Sequence, residues 1–334
     1  MTPIQHSGDG PLLEVRNLAV SFNTPDGAVE AVRGVSFDVT VGRTLGIVGE
    51  SGSGKSVTTQ SIVGLARGAR ISGQARFEGR DLLAMSNAQL REIRGRGIAM
   101  IFQNPMSSLH PLYPIGWQII EMIRAHEPVP RARARARAVE LLGHVGISRP
   151  ERRIDDYPHQ YSGGMLQRAM IAMAIALNPR ILVADEPTTA LDVTVQAQIL
   201  RLLRRLQDEY GMAIIMITHD LGVVAEMAHD VLVMYAGRAM EQAPRQELFR
   251  APCHPYTQGL LRSRPRLDAI GGRLTPIPGQ PPSLISPPDG CPFHARCNLT
   301  TERCMTTPPP LATMAGAEMA HRAACWFPER GMTS

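Results

Sequence analysis

Residues 49–56 read G-E-S-G-S-G-K-S, directly after an apolar run at 44–48 and directly before a helix-forming stretch at 57–65. Strand, glycine-rich loop and helix in that order is the context in which a loop of this spacing wraps a phosphate chain. Gly49, Gly52 and Gly54 allow a tight turn that aims several backbone N–H groups at one point, where a side chain would intrude. Glu50, Ser51 and Ser53 complete the nest. Lys55 would reach the β- and γ-phosphates and Ser56 would ligate Mg²⁺, while the following helix offers its positive N-terminal end.

Working outward, Asp185 ends an apolar strand at 181–184 and Glu186 follows it, which puts two carboxylates at the carboxyl edge of a sheet, where ligands bind in open α/β folds. Asp185 is expected to hold Mg²⁺, and Glu186 to take a proton from, or polarise, the water that attacks the γ-phosphate. Gln103 ends a strand at 98–102 with a polar side chain long enough for both Mg²⁺ and that water. His219, at the end of a strand at 213–218, could hydrogen-bond the γ-phosphate, a contact that lasts only as long as that phosphate does. Ser162, Gly163 and Gly164 open a helix at 164–177 and form a second anion site from helix-end N–H groups and a hydroxyl. One nucleotide needs one nest, so a chain with two suggests that the second serves a nucleotide held by another subunit.

The remaining pattern predicts an α/β fold. Strand-like runs at 12–22, 29–41 and 71–78, with a turn signal T-P-D-G at 24–27, describe an antiparallel β-layer. From 105 to 161 the pattern is helical, with helices at 115–126 and 133–143, and reads as a helical subdomain. Strands and helices then alternate through a helix at 193–210, which implies a parallel sheet covered on both faces. A small unit at 231–241 with a turn at Gly237 closes a domain spanning 12–255. Residues 1–11 are expected to be disordered. Beyond 255, proline and glycine become dense, so 256–334 is expected to be a loop-rich extension with few regular elements.

With 334 residues the chain can bury a substantial core. Its longest unbroken apolar stretch, 169–177, is nine residues, far short of the ~20 that span a bilayer. The first ten residues lack a basic segment followed by an apolar one, so nothing in them argues for export and the cytosol is the expected compartment. A net charge of +5 and a pI near 9.2 are compatible with nucleic acid or an anionic membrane surface without requiring either. In R-A-R-A-R-A-R-A at 131–138 the arginines would wind around much of a helix, which fits a solvated helix better than a binding stripe.

The segments 49–56, 161–168 (Y-S-G-G-M-L-Q-R), 181–186 and His219 resemble the Walker A, signature, Walker B and switch-histidine motifs of ABC ATPases, in the family's order and spacing. Gln103 stands at the Q-loop, and Ala190, Leu191 and Asp192 at the D-loop. Phe22 sits where that family stacks an aromatic on adenine; its other reading is a core aromatic. F-Q-N-P-M-S-S-L-H-P (102–111), Y-P-H-Q-Y-S-G-G-M (157–165) and H-P-Y-T (254–257) further resemble the ATP-binding subunits of bacterial dipeptide and oligopeptide importers. Met165 replaces the wider family's signature glutamine, as is usual in that branch, and His110 stands where the branch commonly has Asn.

The resemblance implies a RecA-like core that binds ATP and Mg²⁺, and a motor subunit peripheral to the cytoplasmic face of the plasma membrane. Implied partners are two transmembrane permeases, a second ABC ATPase, different or identical, and an extracytoplasmic binding protein, with no nucleic acid. Two subunits would close around two ATP molecules, each between one P-loop and the other subunit's signature, and the helical subdomain would hold a permease helix. Nickel, glutathione or oligosaccharide are alternative cargoes. A soluble ABC ATPase acting on nucleic acid or ribosomes would account for the basic charge, but such proteins typically carry two ATPase units or long coiled-coil insertions. A subunit that binds without hydrolysing is disfavoured because Glu186 and His219 are both in place.

Cys291, Cys297, Cys304 and Cys325 are separated by five, six and twenty intervening residues. They lack the short knuckle of structural zinc, although His294 and His321 are possible ligands, and all-cysteine iron–sulfur ligation tolerates such spacing. Resemblance to the peptide-importer branch implies a four-iron four-sulfur cluster; zinc or no metal are the alternatives. Cys253 lies apart and reads as a structural thiol.

Overall fold

The computed structural model describes residues 10–189, 191–263, 276–314 and 320–328. Ala190 of the D-loop and most of the expected disordered start lie outside the described residues.

The antiparallel layer is built from β1 (Leu13–Thr24), β2 (Gly27–Val39), β4 (Ala69–Phe77) and the short β5 (Arg80–Asp81), in the order β2-β1-β4-β5. On β1, Leu13, Val15, Leu18 and Val20 are all buried. Strict alternation would expose Leu18; a register shift at Asn17, whose φ is +49°, turns it inward. The second sheet runs β11-β12-β10-β9-β3-β8-β7-β6. Its centre is parallel: β3 (Thr44–Val48), β6 (Ile98–Ile101), β7 (Ile181–Asp185), β8 (Ala213–Thr218) and β9 (Asp230–Tyr235). Every residue of β3, β7 and β8 is buried, as a sheet covered on both faces requires. β10 (Arg238–Pro244) pairs antiparallel with β9 through a turn at Ala236 and Gly237, both left-handed.

Helix α1 (Lys55–Ile62) leaves the phosphate loop, and α2 (Asn87–Ile93), unforeseen in the sequence, is closed by a capping box from Ser86 and Gln89. The segment 105–161 holds α3 (Pro105–Ser108), α4 (Ile115–His126), α5 (Arg131–His144) and α6 (Pro150–Arg153), with no strand among its described residues. The arginine run forms the start of α5. Ala134 and Ala138, one turn apart, are buried, while Arg131, Arg135 and Arg137 pair with Glu121, Asp155 and Glu127. These pairings support the solvated-helix reading. Helices α7 (Gly163–Ile175), α8 (Val193–Tyr210) and α9 (Leu221–Met227) cover the sheet.

After α10 (Arg245–Arg250), the described elements beyond 255 are short: α11 (Pro255–Arg262), α12 (Glu302–Thr306), β11 (Ala312–Thr313) and β12 (Arg322–Ala323). β12 pairs with β10, so the extension continues the core sheet. A buried pair secures that seam: His321 Nε2 lies 2.6 Å from Glu241 Oε1, and Glu241 also accepts the backbone N–H groups of Cys253 (2.7 Å) and His254 (2.9 Å). Hydrogen bonds compensate the desolvated carboxylate from three sides. The buried group near Cys253 therefore reads as a staple, and His321 is engaged by Glu241.

Burial pushes the His321 imidazole down, but its bonds to Cys253 and Glu241 and the Glu241 charge outweigh this and hold it up at about 9. A group raised from 6.5 to about 9 stabilises fully below pH 6.5, and that stabilisation is lost as pH rises through 9. His321→Gln is expected to destabilise the extension by roughly 3 kcal/mol at neutral pH. Melting curves should show the difference from wild type shrinking to near zero by pH 10; a constant difference would refute the ion pair.

Candidate active site

The loop at 49–56 lies between β3 and α1 and is wedged into the fold. A Cβ on Gly49 would stand 2.1 Å from the Met234 carbonyl oxygen, and one on Gly54 2.2 Å from that of Ala31. Gly54 also has φ +95° and caps α1. No other residue type fits either place. Inside the loop, Lys55 Nζ donates to the carbonyls of Gly49 and Glu50, both at 2.8 Å. Burial lowers its pKa while Glu186, Asp185 and Glu50 oppose that shift, so the ammonium is held in a pocket poor in water and aimed by backbone oxygens.

Ser56 and Asp185, 129 residues apart in the chain, meet: Ser56 Oγ donates to Asp185 Oδ1 at 2.8 Å. Two hard oxygen donors side by side at the loop suit Mg²⁺. Burial raises the Asp185 pKa and the Ser56 hydrogen bond counters it; a bound cation would act in the same direction as that bond.

Glu186 occupies a left-handed backbone conformation, φ +47°, that non-glycine residues rarely adopt, fixed in part by its N–H donating to the Ile217 carbonyl at 2.9 Å. Its carboxylate is a hub. Gln103 Nε2 and Thr189 Oγ1 each donate to Oε2 at 2.8 Å, and His219 Nδ1 lies 3.1 Å from Oε1. Burial acts to raise its pKa, but the bonds from His219, Thr189 and Gln103 prevail and lower it, leaving an ionised carboxylate. Gln103 and His219 thus face the proposed base in this structure, although the sequence reading aims both at Mg²⁺, water or phosphate. Thr189 carries no motif of its own in the sequence; the signal for it is its position three residues after Glu186 in a tight loop.

Other predicted residues lie apart. Ser162 and Gly163 are exposed at the start of α7, where Ser162 Oγ accepts the N–H of Met165 at 3.4 Å. Gly164 packs against α8, a Cβ there standing 3.0 Å from Val195. Asp192 caps α8, accepting the N–H of Val195 at 2.9 Å. Among the described residues no hydrogen bond or ion pair joins 162–164 to the phosphate loop. Phe22 is partly buried and packs on the apolar cluster that also holds Val57, one residue past the loop.

Cys291, Cys297, Cys304 and Cys325 line one cavity with His254, His294 and Trp326. His321 does not line it. Burial pushes Cys291 up to about 12 and Cys325 up to about 11. Leu299 N–H donates to Cys297 Sγ at 3.4 Å and Phe327 N–H to Cys325 Sγ at 3.3 Å, donors that would favour thiolates once a cationic centre offsets the burial. Among the described residues, no three of these sulfurs lie within 4.8 Å of one another.

Comparison with known proteins agrees with this geometry. Residues 32–189 match the ABC transporter family, and residues 240–304 match the C-terminal region of oligopeptide/dipeptide transporters. The chain is 50% identical over 318 residues to the oligopeptide transport ATP-binding protein OppD of Haemophilus influenzae, covering 95% of this chain and 97% of that one. It is 53% identical over 289 residues to the dipeptide transport ATP-binding protein DppD of Bacillus subtilis, covering 86% of each. A solved dimeric ATP-binding cassette in a post-hydrolysis state, bound to ADP and phosphate, superposes with a TM-score of 0.63 at 27% identity, over 70% of this chain and 98% of the other. With these relatives, and with the phosphate loop, the Ser56–Asp185 pair and Glu186 gathered at one edge of the sheet, the chain belongs to the ABC transporter ATPases, in the branch of oligopeptide and dipeptide transport ATP-binding proteins, and binds and hydrolyses ATP.

Proposed function

We propose that this chain is one half of an ATPase pair that drives import of dipeptides or oligopeptides from the cytoplasmic face of a membrane. The observation that carries this reading is the peptide-transporter C-terminal region at 240–304 joined to a phosphate loop whose Ser56 meets Asp185 and to a Glu186 carboxylate that accepts from Gln103. In this reading two permease subunits supply the passage; no helix among the described residues is long and apolar enough to cross a membrane. A binding protein outside the membrane would deliver the cargo. Exposed apolar side chains on the helical subdomain support permease docking: Met106, Tyr113 and Tyr157 are exposed, and Leu112 is 75% exposed. Pairing with a second ATPase is supported by the exposed Ser162 and Gly163, which no hydrogen bond or ion pair among the described residues joins to their own phosphate loop, and by Val193, 84% exposed beside Asp192.

In this mechanism the loop amides and Lys55 bind the phosphates, and Ser56 and Asp185 would hold Mg²⁺, which neutralises charge on the transferring group. Glu186 accepts the proton of the attacking water. His219 meets Glu186 through Nδ1 and Gln103 through Nε2, which leaves the His219 Nε2 and the Gln103 Oε1 to engage phosphate or water. Hydrolysis then removes the contact that holds the pair closed.

For the four thiols, the reading is a four-iron four-sulfur cluster that staples the extension. A tetrahedral zinc site with Zn–S near 2.3 Å puts its sulfurs only about 3.8 Å apart, closer than any three of these thiols lie. The wider spacing and the backbone donors to sulfur favour a cluster.

Glu186→Gln is expected to cut ATP turnover at least 100-fold with nucleotide affinity retained; equal loss of binding would point to a collapsed site. Anaerobically purified protein should contain about four iron and four acid-labile sulfide per chain. Stoichiometric zinc, or no metal, would reject the cluster. Leu112→Asp should abolish co-purification with permeases from native membranes without changing the melting temperature of the isolated chain, whereas unchanged recovery would move the docking surface elsewhere.

A further inference from the structure

One residue of the phosphate loop is held from outside the ATPase core. Arg296, in the extension and next to Cys297, donates from Nη1 and Nη2 to the two carboxylate oxygens of Glu50 at 2.7 and 3.1 Å, across 246 residues of chain. Its other donors are also used: Nη1 to the Tyr235 hydroxyl at 3.1 Å, Nη2 to the Ile277 carbonyl at 3.1 Å and Nε to the Pro278 carbonyl at 2.8 Å. All five guanidinium N–H donors are thereby engaged on a side chain only 5% exposed. Such a bidentate, charge-assisted pair is directional and far stronger than an exposed ion pair.

Glu50 is gripped a second time. Its backbone N–H donates to the hydroxyl of Tyr256 on α11, at 2.9 Å. The third polar group of Glu50, its carbonyl, then accepts Lys55 Nζ at 2.8 Å. The chain of contacts runs from the extension through Arg296 to Glu50 and on to the lysine that meets the phosphates. Phe293 packs edge-on to Tyr235 and tilted on Tyr256, so both anchors belong to one aromatic cluster beside Cys291. A staple serving the extension alone could have used any exposed carboxylate of the core. This one grips the residue whose carbonyl aims Lys55.

We propose that Arg296 is a positioning residue for nucleotide binding: with Tyr256 it fixes Glu50, and thereby Lys55, so that docking of the extension and occupancy of the phosphate loop favour each other. The proposal rests on the nucleotide site described above. Coupling of this kind is reciprocal, so nucleotide must tighten the extension as much as the extension tightens nucleotide.

The test is equilibrium binding of a fluorescent ATP analogue to the full chain, with melting temperature recorded for each variant. Arg296→Met and Glu50→Gln are each expected to weaken binding about tenfold. The double variant should be no weaker than either single one, since both cut the same link. Arg296→Lys, which keeps the charge and loses the fork, and Tyr256→Phe, which removes one hydroxyl, should each weaken it about threefold. Arg43→Met, in a surface pair with Asp230, should change it less than twofold. In hydrogen exchange, ADP with Mg²⁺ should slow amides of 291–297 in wild type and not in Arg296→Met. Affinities within twofold of wild type for folded Arg296→Met, or for both Arg296→Lys and Tyr256→Phe should Arg296→Met unfold, would overturn the proposal and leave Arg296 a staple. Additive losses in the double variant would overturn it too. Failure of wild type to bind, or of Lys55→Ala to lose binding, would instead count against the nucleotide site itself.

Discussion

The phosphate loop is clamped between two backbone carbonyls, those of Ala31 and Met234, that leave no room for a β-carbon at Gly54 or Gly49. Ala31 belongs to the antiparallel layer and Met234 to the central sheet, so the loop sits at the seam between the two sheets. Gly237 N–H donates to the Ser53 carbonyl and Arg33 N–H to the Gly237 carbonyl, tying loop, hairpin and layer into one unit. A nest of N–H groups attracts phosphate only while its shape holds. Here the shape comes from packing on both sides.

Around that seam the parallel strands bring distant groups to one edge. β3 ends at the loop and β7 ends at Asp185, while β8, lying between them, ends beside His219. The adjacency of β8 and β7 lets Glu186 N–H reach the Ile217 carbonyl and hold its unfavourable backbone angle. A strained residue persists where neighbours over-determine it, and here the carboxylate is held as well, by Gln103, Thr189 and His219.

The extension is part of the same mechanical unit. It joins the core sheet through β12, satisfies a buried carboxylate through His321, and grips the loop through Arg296. A loop-rich segment with little core of its own gains order this way, from polar contacts to a rigid neighbour.

Much of the fold and chemistry was legible in the chain. The glycine spacing, the all-apolar strands and the positions of Asp185, Glu186, Gln103 and His219 at strand ends follow from local rules: backbone freedom, periodicity and burial on both faces. The bounds of the helices at 115–126 and 193–210 follow from apolar periodicity. Helices α2 and α9, seven residues each, are too short for periodicity to mark. The composition beyond 255 suggested few elements because proline and glycine report local preference, whereas β12 exists through its pairing with β10. Thr189 on Glu186, His321 on Glu241 and Arg296 on Glu50 were decided by the tertiary structure alone. Each depends on which strand ends and loops meet in space, and an Arg in a cysteine-rich tail carries no mark of the carboxylate it will find 246 residues away.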